Sequence, residues 1–372
     1  MSENTEKPVA WFARPAARAW TCPQAPADAQ AFHASLPGYA VTPLHELPSL
    51  AAELGVGRVF VKDESARLGL PAFKALGASW AVHRALAERA AGGEASPEPV
   101  MLITATDGNH GRAVARMARL LGQRAHVFVS KGVHPAATAA IAAEGAEVTE
   151  VAGPYDEAVH RAAAAAAEGI ATVLVQDSAW PGYERIPRWI VEGYSTLFAE
   201  IDAQLAAAGA GFPDLVAVPV GVGSLAQAVV THYRSRPAGR TAPALLSVEP
   251  EAAACVIESL ARGELTGVVT GDTAMAGLNC GTPSSLAWPY LRDGLDAAVT
   301  VTDADSARAV RELAALGVSS GPCGAASLAG VRAALTGDGA DGRRAALGLG
   351  TASTLVLLST EGADANPHHQ EP

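Results

Sequence analysis

Two rhythms of hydrophobic residues alternate along this chain. Short apolar runs at 57–62, 100–104, 125–130, 147–151, 172–175, 215–220, 245–248, 298–301 and 354–359 have the length of buried strands. Between them, 73–91, 111–121, 135–144, 155–168, 182–208, 224–233, 251–261, 283–292, 304–316 and 321–335 repeat apolar residues at helical spacing. Pro135 near one helix start and Thr302-Asp303 before another are start signals. The stretch 42–54 reads as a turn and a short helix, residues 1–40 as irregular surface chain, and 91–99 as a linker. Continuously apolar strands separated by helices predict parallel sheets covered on both faces. The pattern therefore predicts two α/β layers with a cleft between them.

Composition narrows the function. With 372 residues, 49% hydrophobic and 17% charged, the chain has the make-up of a folded protein of about two domains. Its 27 Lys and Arg against 38 Asp and Glu give a net charge of −11 without a dense basic tract, which argues against nucleic-acid partners. The four cysteines, Cys22, Cys255, Cys280 and Cys323, are too scattered for a disulfide framework or a zinc knuckle, and are expected to be free thiols. The ten histidines show no metal-ligand spacing, so no metal is expected. A polar N-terminus and the lack of any apolar run near ~20 residues predict a cytoplasmic protein with no membrane partner.

Three strand exits could carry chemistry. In Pro71-Ala72-Phe73-Lys74-Ala75-Leu76-Gly77, Lys74 opens a helix in apolar surroundings. The helix dipole and lost water both disfavour its ammonium form, suiting it to Schiff-base chemistry, whereas a surface lysine would simply reach solvent. Thr104-Ala105-Thr106-Asp107-Gly108-Asn109-His110-Gly111 lies between strand and helix, where Thr106 and Asn109 can donate and the helix end favours a carboxylate. The plainer reading makes Asp107 or Asn109 a helix cap. Gly221-Val222-Gly223-Ser224-Leu225 could cradle a phosphate; with Ala226 and Glu249 it also fits a dinucleotide fingerprint. Asp177, at the end of a third strand, is either a site carboxylate or a helix cap.

Together these stretches resemble the fold-type II pyridoxal-phosphate enzymes, the tryptophan-synthase-β-like group, across roughly residues 40–362. The Gly69-to-Lys74 stretch, Thr106-Asp107-Gly108-Asn109-His110-Gly111-Arg112, Gln176-Asp177-Ser178-Ala179-Trp180, the Met275-to-Gly281 stretch and Ser359-Thr360-Glu361-Gly362 resemble one branch, the diaminopropionate ammonia-lyases. The resemblance implies two open parallel-sheet domains: 1–95 with 205–372 binding the cofactor, and 96–204 carrying the asparagine loop. It implies that Lys74 holds pyridoxal phosphate and acts as a base, that Asn109 bonds its 3′-oxygen, and that Gly221, Val222, Gly223, Ser224 and Leu225 bind its phosphate. Ser359 would face the pyridine nitrogen. Asp107 stands where hydroxy-amino-acid dehydratases carry serine, and with Asp177 it would suit a substrate with a second amine, flanked by Thr106 and His110. The implied reaction is elimination of ammonia from 2,3-diaminopropionate, a small amino acid, by a homodimer.

The chain departs from that pattern at Gly321-Pro322-Cys323-Gly324, where an acidic residue and a serine are expected, and again after Gly362. Rival readings are a serine or threonine dehydratase or β-replacement enzyme on the same cofactor, an NAD-dependent oxidoreductase, and an amino-acid-binding protein.

Overall fold

The computed structural model describes residues 10–93, 98–106, 108–169, 171–235 and 241–365; Asp107 and part of the expected linker lie outside them. Eleven strands form two sheets among these residues. The chain starts with β1 (Trp11–Ala13), β2 (Leu44–Glu46) and β3 (Arg58–Asp63). It then builds a separate sheet from β4 (Met101–Thr106), β5 (Arg124–Ser130), β6 (Glu147–Val151) and β7 (Thr172–Leu174), and returns with β8 (Leu215–Pro219), β9 (Ala244–Pro250), β10 (Ala297–Val301) and β11 (Thr354–Ser359).

The larger sheet runs β1-β10-β9-β8-β11-β3-β2 and the smaller β6-β5-β4-β7. All pairs in the smaller sheet are parallel, as are the five central strands of the larger, while β1 and β2 close its edges antiparallel. The central strands β8, β9 and β11 are buried at every residue, so their unbroken apolar runs are what a sheet covered on both faces requires.

Several elements differ from the pattern's prediction. The stretch expected to be irregular contains β1 and a helix, Asp28–Ser35; 42–54 contains β2 before the helix Pro48–Leu54; and a helix at Ala340–Leu347 was not anticipated. The helix expected over 182–208 is two helices, Arg185–Gly193 and Ser195–Ala207, parted at Tyr194. Contact with the lysine-bearing helix (Lys74–Ala91) explains the glycine there: a Cβ on Gly193 would lie 2.6 Å from Leu76 O, and one on Gly77 2.6 Å from the Tyr194 ring. The Thr302 start signal holds, with a full capping box on the helix Asp303–Ala315. No helix among the described residues is long and apolar enough to cross a membrane.

Beneath the lysine segment lies a buried ionic cluster. Lys62 Nζ donates to Glu200 at 2.7 Å, Thr42 O at 2.8 Å and Gln204 at 2.9 Å. Arg67 donates to both Glu64 oxygens and both Glu200 oxygens, at 2.6–2.8 Å. Two cations face two carboxylates with every charge hydrogen-bonded, the condition under which buried ions are tolerated.

Candidate active site

The carboxyl ends of β3, β4, β7, β8 and β11 converge, and the sequence's candidate residues among those described stand at these strand ends or on the segments that leave them. The approach to Lys74 is a tight loop in which Leu68 (φ 51°) and Gly69 (φ 71°) both take left-handed conformations. Its exit is stitched to the end of β11, with Phe73 N donating to Thr360 O at 3.1 Å and Gly362 N to Pro71 O at 2.9 Å. These bonds fix the lysine at the first position of its helix.

Lys74 Nζ donates to Asp177 Oδ2 at 2.5 Å, joining residues 103 apart in sequence. This corrects two expectations. Asp177 is no helix cap, since the next helix begins at Arg185. Nor is the Lys74 ammonium destabilised: burial alone would lower its pKa, but the Asp177 carboxylate raises it. Burial likewise works against the Asp177 carboxylate, yet the Lys74 charge and its hydrogen bond hold it at about 2. His110 Nε2 lies 2.7 Å from Val175 O, so that nitrogen carries the hydrogen. Its Nδ1 is buried without a hydrogen-bond partner, 3.9 Å from Asp177 Oδ2, and burial lowers the ring's pKa, keeping it neutral.

Asn109 opens the helix Asn109–Leu120, and Gly108 before it has φ 155°. The Asn109 side chain caps nothing; its Nδ2 donates to Glu361 Oε2 at 2.8 Å. Thr106 Oγ1 accepts from Gly108 N at 2.9 Å and Gly111 N at 3.1 Å, so its oxygen shapes the loop while its hydroxyl hydrogen stays available. Ser359 is fully buried and donates to Ser320 Oγ at 2.8 Å.

The loop 221–225 runs from β8 into the helix Ser224–Arg234, whose first turn has no side-chain cap. Gly223 has φ 97°, and a Cβ there would strike Leu291 at 2.6 Å; one on Gly221 would meet Gly277 O and the Cys280 sulfur at 3.0 Å. Uncapped amides at the positive end of an eleven-residue helix, reached over glycines, form an anion cradle. Ser224 Oγ donates to Asp177 O at 3.2 Å, tying the cradle to the lysine's partner. A dinucleotide reading of this loop fails at Glu249: its buried carboxylate accepts from Val256 N and Ile257 N, both at 2.7 Å, and is unavailable to a ribose.

A phosphate cradle, a lysine, a side-chain amide and a buried hydroxyl on facing strand ends fit pyridoxal phosphate: loop 221–225 for the phosphate, Lys74 for the aldehyde, Asn109 and Ser359 for the ring. Two contributors escaped the sequence reading. The signal for Glu361 is an acidic residue two positions beyond a strand with four consecutive apolar residues, Leu355–Leu358. Burial pushes its carboxyl up, opposed by Cys323, Asn109 and the Lys74 charge. Tyr194, beneath the lysine helix and 1% exposed, left no sequence signal.

Comparison with known proteins agrees. Residues 36–349 match the family described as pyridoxal-phosphate dependent enzyme. A diaminopropionate ammonia-lyase of Salmonella typhimurium is 40% identical over 302 residues, covering 77% of this chain and 74% of that one. Its counterpart from Escherichia coli K12 is 34% identical over 360 residues, covering 92% and 89%. The crystal structure of the Escherichia coli enzyme in complex with D-serine superposes with a TM-score of 0.87 at 32% identity, over 97% of this chain and 95% of that one. The chain belongs to the pyridoxal-phosphate dependent enzymes and, among them, to the diaminopropionate ammonia-lyases.

Proposed function

We propose that this protein eliminates ammonia from 2,3-diaminopropionate, giving pyruvate and a second ammonia. The observation that carries the reading is the Lys74–Asp177 contact at 2.5 Å: the site holds a carboxylate already shaped around an ammonium. The substrate's distal ammonium would find in Asp177 the same partner that the Lys74 ammonium has here. His110 Nδ1, an acceptor without a partner, supports the same conclusion, since an ammonium can donate to both. A hydroxyl leaving group would satisfy neither charge nor donor count.

The bound cofactor supplies an electron sink for the carbanion formed at Cα. The chain supplies the rest. Lys74 Nζ removes the Cα proton, Asp177 orients the distal ammonium, which leaves as neutral ammonia carrying the C–N electron pair, and loop 221–225 would anchor the phosphate. Asn109 and Ser359 hold the ring, and Thr106 and His110 line the substrate. Asp107 is assigned as a second base, so that Lys74 and Asp107 each serve one enantiomer. The division into 1–95 with 205–372 and 96–204, a homodimeric assembly and a cytoplasmic location complete the proposal.

Steady-state rates on D- and L-2,3-diaminopropionate, serine and threonine test it. Diaminopropionate is expected to be turned over with two ammonia per pyruvate and to exceed the hydroxy-amino acids by roughly 10²-fold or more in kcat/KM. Serine or threonine as the better substrate would make this a dehydratase. Asp107→Asn is expected to affect the enantiomers unequally; equal loss on both would remove its assigned role.

A further inference from the structure

Glu361 lies just beyond β11 and is 4% exposed. From the larger sheet it reaches the smaller: its Oε2 accepts Asn109 Nδ2 at 2.8 Å across 252 residues of chain. Its Oε1 accepts the backbone N–H of Cys323 at 3.2 Å, in the first turn of the helix Pro322–Leu335. The helix start at which the sequence lacks its expected acidic residue thus receives a carboxylate through space.

The Glu361 backbone is equally constrained. Gly321 N donates to Glu361 O at 2.9 Å, Ala72 pairs with Glu361 across an antiparallel bridge, and a Cβ on Gly321 would sit 2.9 Å from Oε1. An asparagine amide has two ends of nearly equal shape, one donating and one accepting. Both Glu361 oxygens accept here, Oε1 from Cys323 N and Oε2 from Asn109 Nδ2. Glu361 therefore turns the NH2 end of Asn109 toward itself, and the second N–H of that group then has a fixed direction.

We propose that Glu361 is a positioning residue for the reaction, orienting Asn109 from the opposite sheet so that its second amide N–H meets the 3′-oxygen of pyridoxal phosphate. The proposal rests on the reading of Asn109 as the partner of that oxygen. A mere latch between the sheets would leave the cofactor's electronic state alone; a positioning residue alters it through Asn109.

The test is a double-mutant cycle in the full-length protein: Asn109→Ala, Glu361→Ala and the pair. Two quantities are read, the dissociation constant of pyridoxal phosphate and the position and pH dependence of its visible absorbance. Each single substitution is expected to weaken retention about tenfold and to shift the band in the same direction. The double variant is expected to be no worse than Asn109→Ala alone. If Glu361→Ala costs the same factor with and without Asn109, the proposal is overturned and Glu361 is structural only. If Asn109→Ala itself changes neither quantity, the Asn109 reading fails and the proposal with it. Should Glu361→Ala not fold, Glu361→Gln enters the same cycle; it keeps an acceptor for Asn109 but opposes its NH2 to the Cys323 N–H. A smaller, still non-additive effect is expected, and additivity is again the overturning result.

Discussion

Lys62 is fully buried and Lys74 partly so, and their surroundings differ in kind. Lys62 gives its three hydrogens to three oxygens, and Arg67, Glu64 and Glu200 complete a cluster of matched charge. Lys74, with 23% of its side chain exposed, has one carboxylate at 2.5 Å and a neighbouring imidazole nitrogen that nothing satisfies. The saturated cluster has no place for a newcomer and holds the fold. The unsaturated pair has a place, and can exchange one cation for another. Burial and a shifted pKa are common to both; unfilled hydrogen-bonding capacity distinguishes the site.

If that contrast is right, the two regions fail differently. Arg67→Ala leaves Glu64 and Glu200 buried without their main partner, and about 3–5 kcal/mol of stability should be lost in urea unfolding. The activity of the molecules that remain folded should change little; a large fall in their kcat would bring the cluster into the active site.

His33 joins the two regions and reports on both. Its Nε2–H donates to Leu76 O, on the lysine helix, at 3.0 Å, and its Nδ1 meets the Thr196 hydroxyl, one turn before Glu200, at 2.7 Å. Burial chiefly lowers its pKa from 6.5 to about 4, so the folded state favours the neutral ring. That stabilisation is complete above pH 6.5 and is lost as pH falls toward 4, on the order of 3 kcal/mol in total. The free energy of unfolding measured across this window should fall with acid in the wild type and less so in His33→Gln; parallel curves would show that His33 is not the titrating group.

Asp177→Asn probes the unsaturated side. It removes the charge proposed to hold the distal amine but keeps the shape, and kcat/KM for 2,3-diaminopropionate should drop roughly 10²-fold. Serine turnover should suffer less, and equal losses on the two substrates would deny Asp177 its role toward the distal amine.

How much of this could be read from sequence depended on the range of the interactions. The central strands were legible because unbroken apolar runs such as Leu215–Pro219 have few other uses. Lys74, Asn109 and loop 221–225 were legible because strand exits, glycines and helix starts are local signals. The short β1 and β2, three residues each, carry too little periodicity to stand out. Beside the break at Tyr194, Gly193 lies close against Leu76, a contact that no local pattern encodes. The charge state of Lys74 was misjudged for the same reason: helix dipole and burial are local, but Asp177 lies 103 residues away and outweighs them. Glu361 and Asn109, 252 residues apart, meet only once both sheets have formed.

The most direct test of the central claim is an absorbance spectrum of the purified protein with pyridoxal phosphate, taken for wild type and Lys74→Ala before and after adding 2,3-diaminopropionate. The account predicts a visible band that needs Lys74, changes when substrate is added, and is accompanied by pyruvate in the wild type alone. No visible band in the wild type, or an equal band and equal pyruvate from Lys74→Ala, would contradict it.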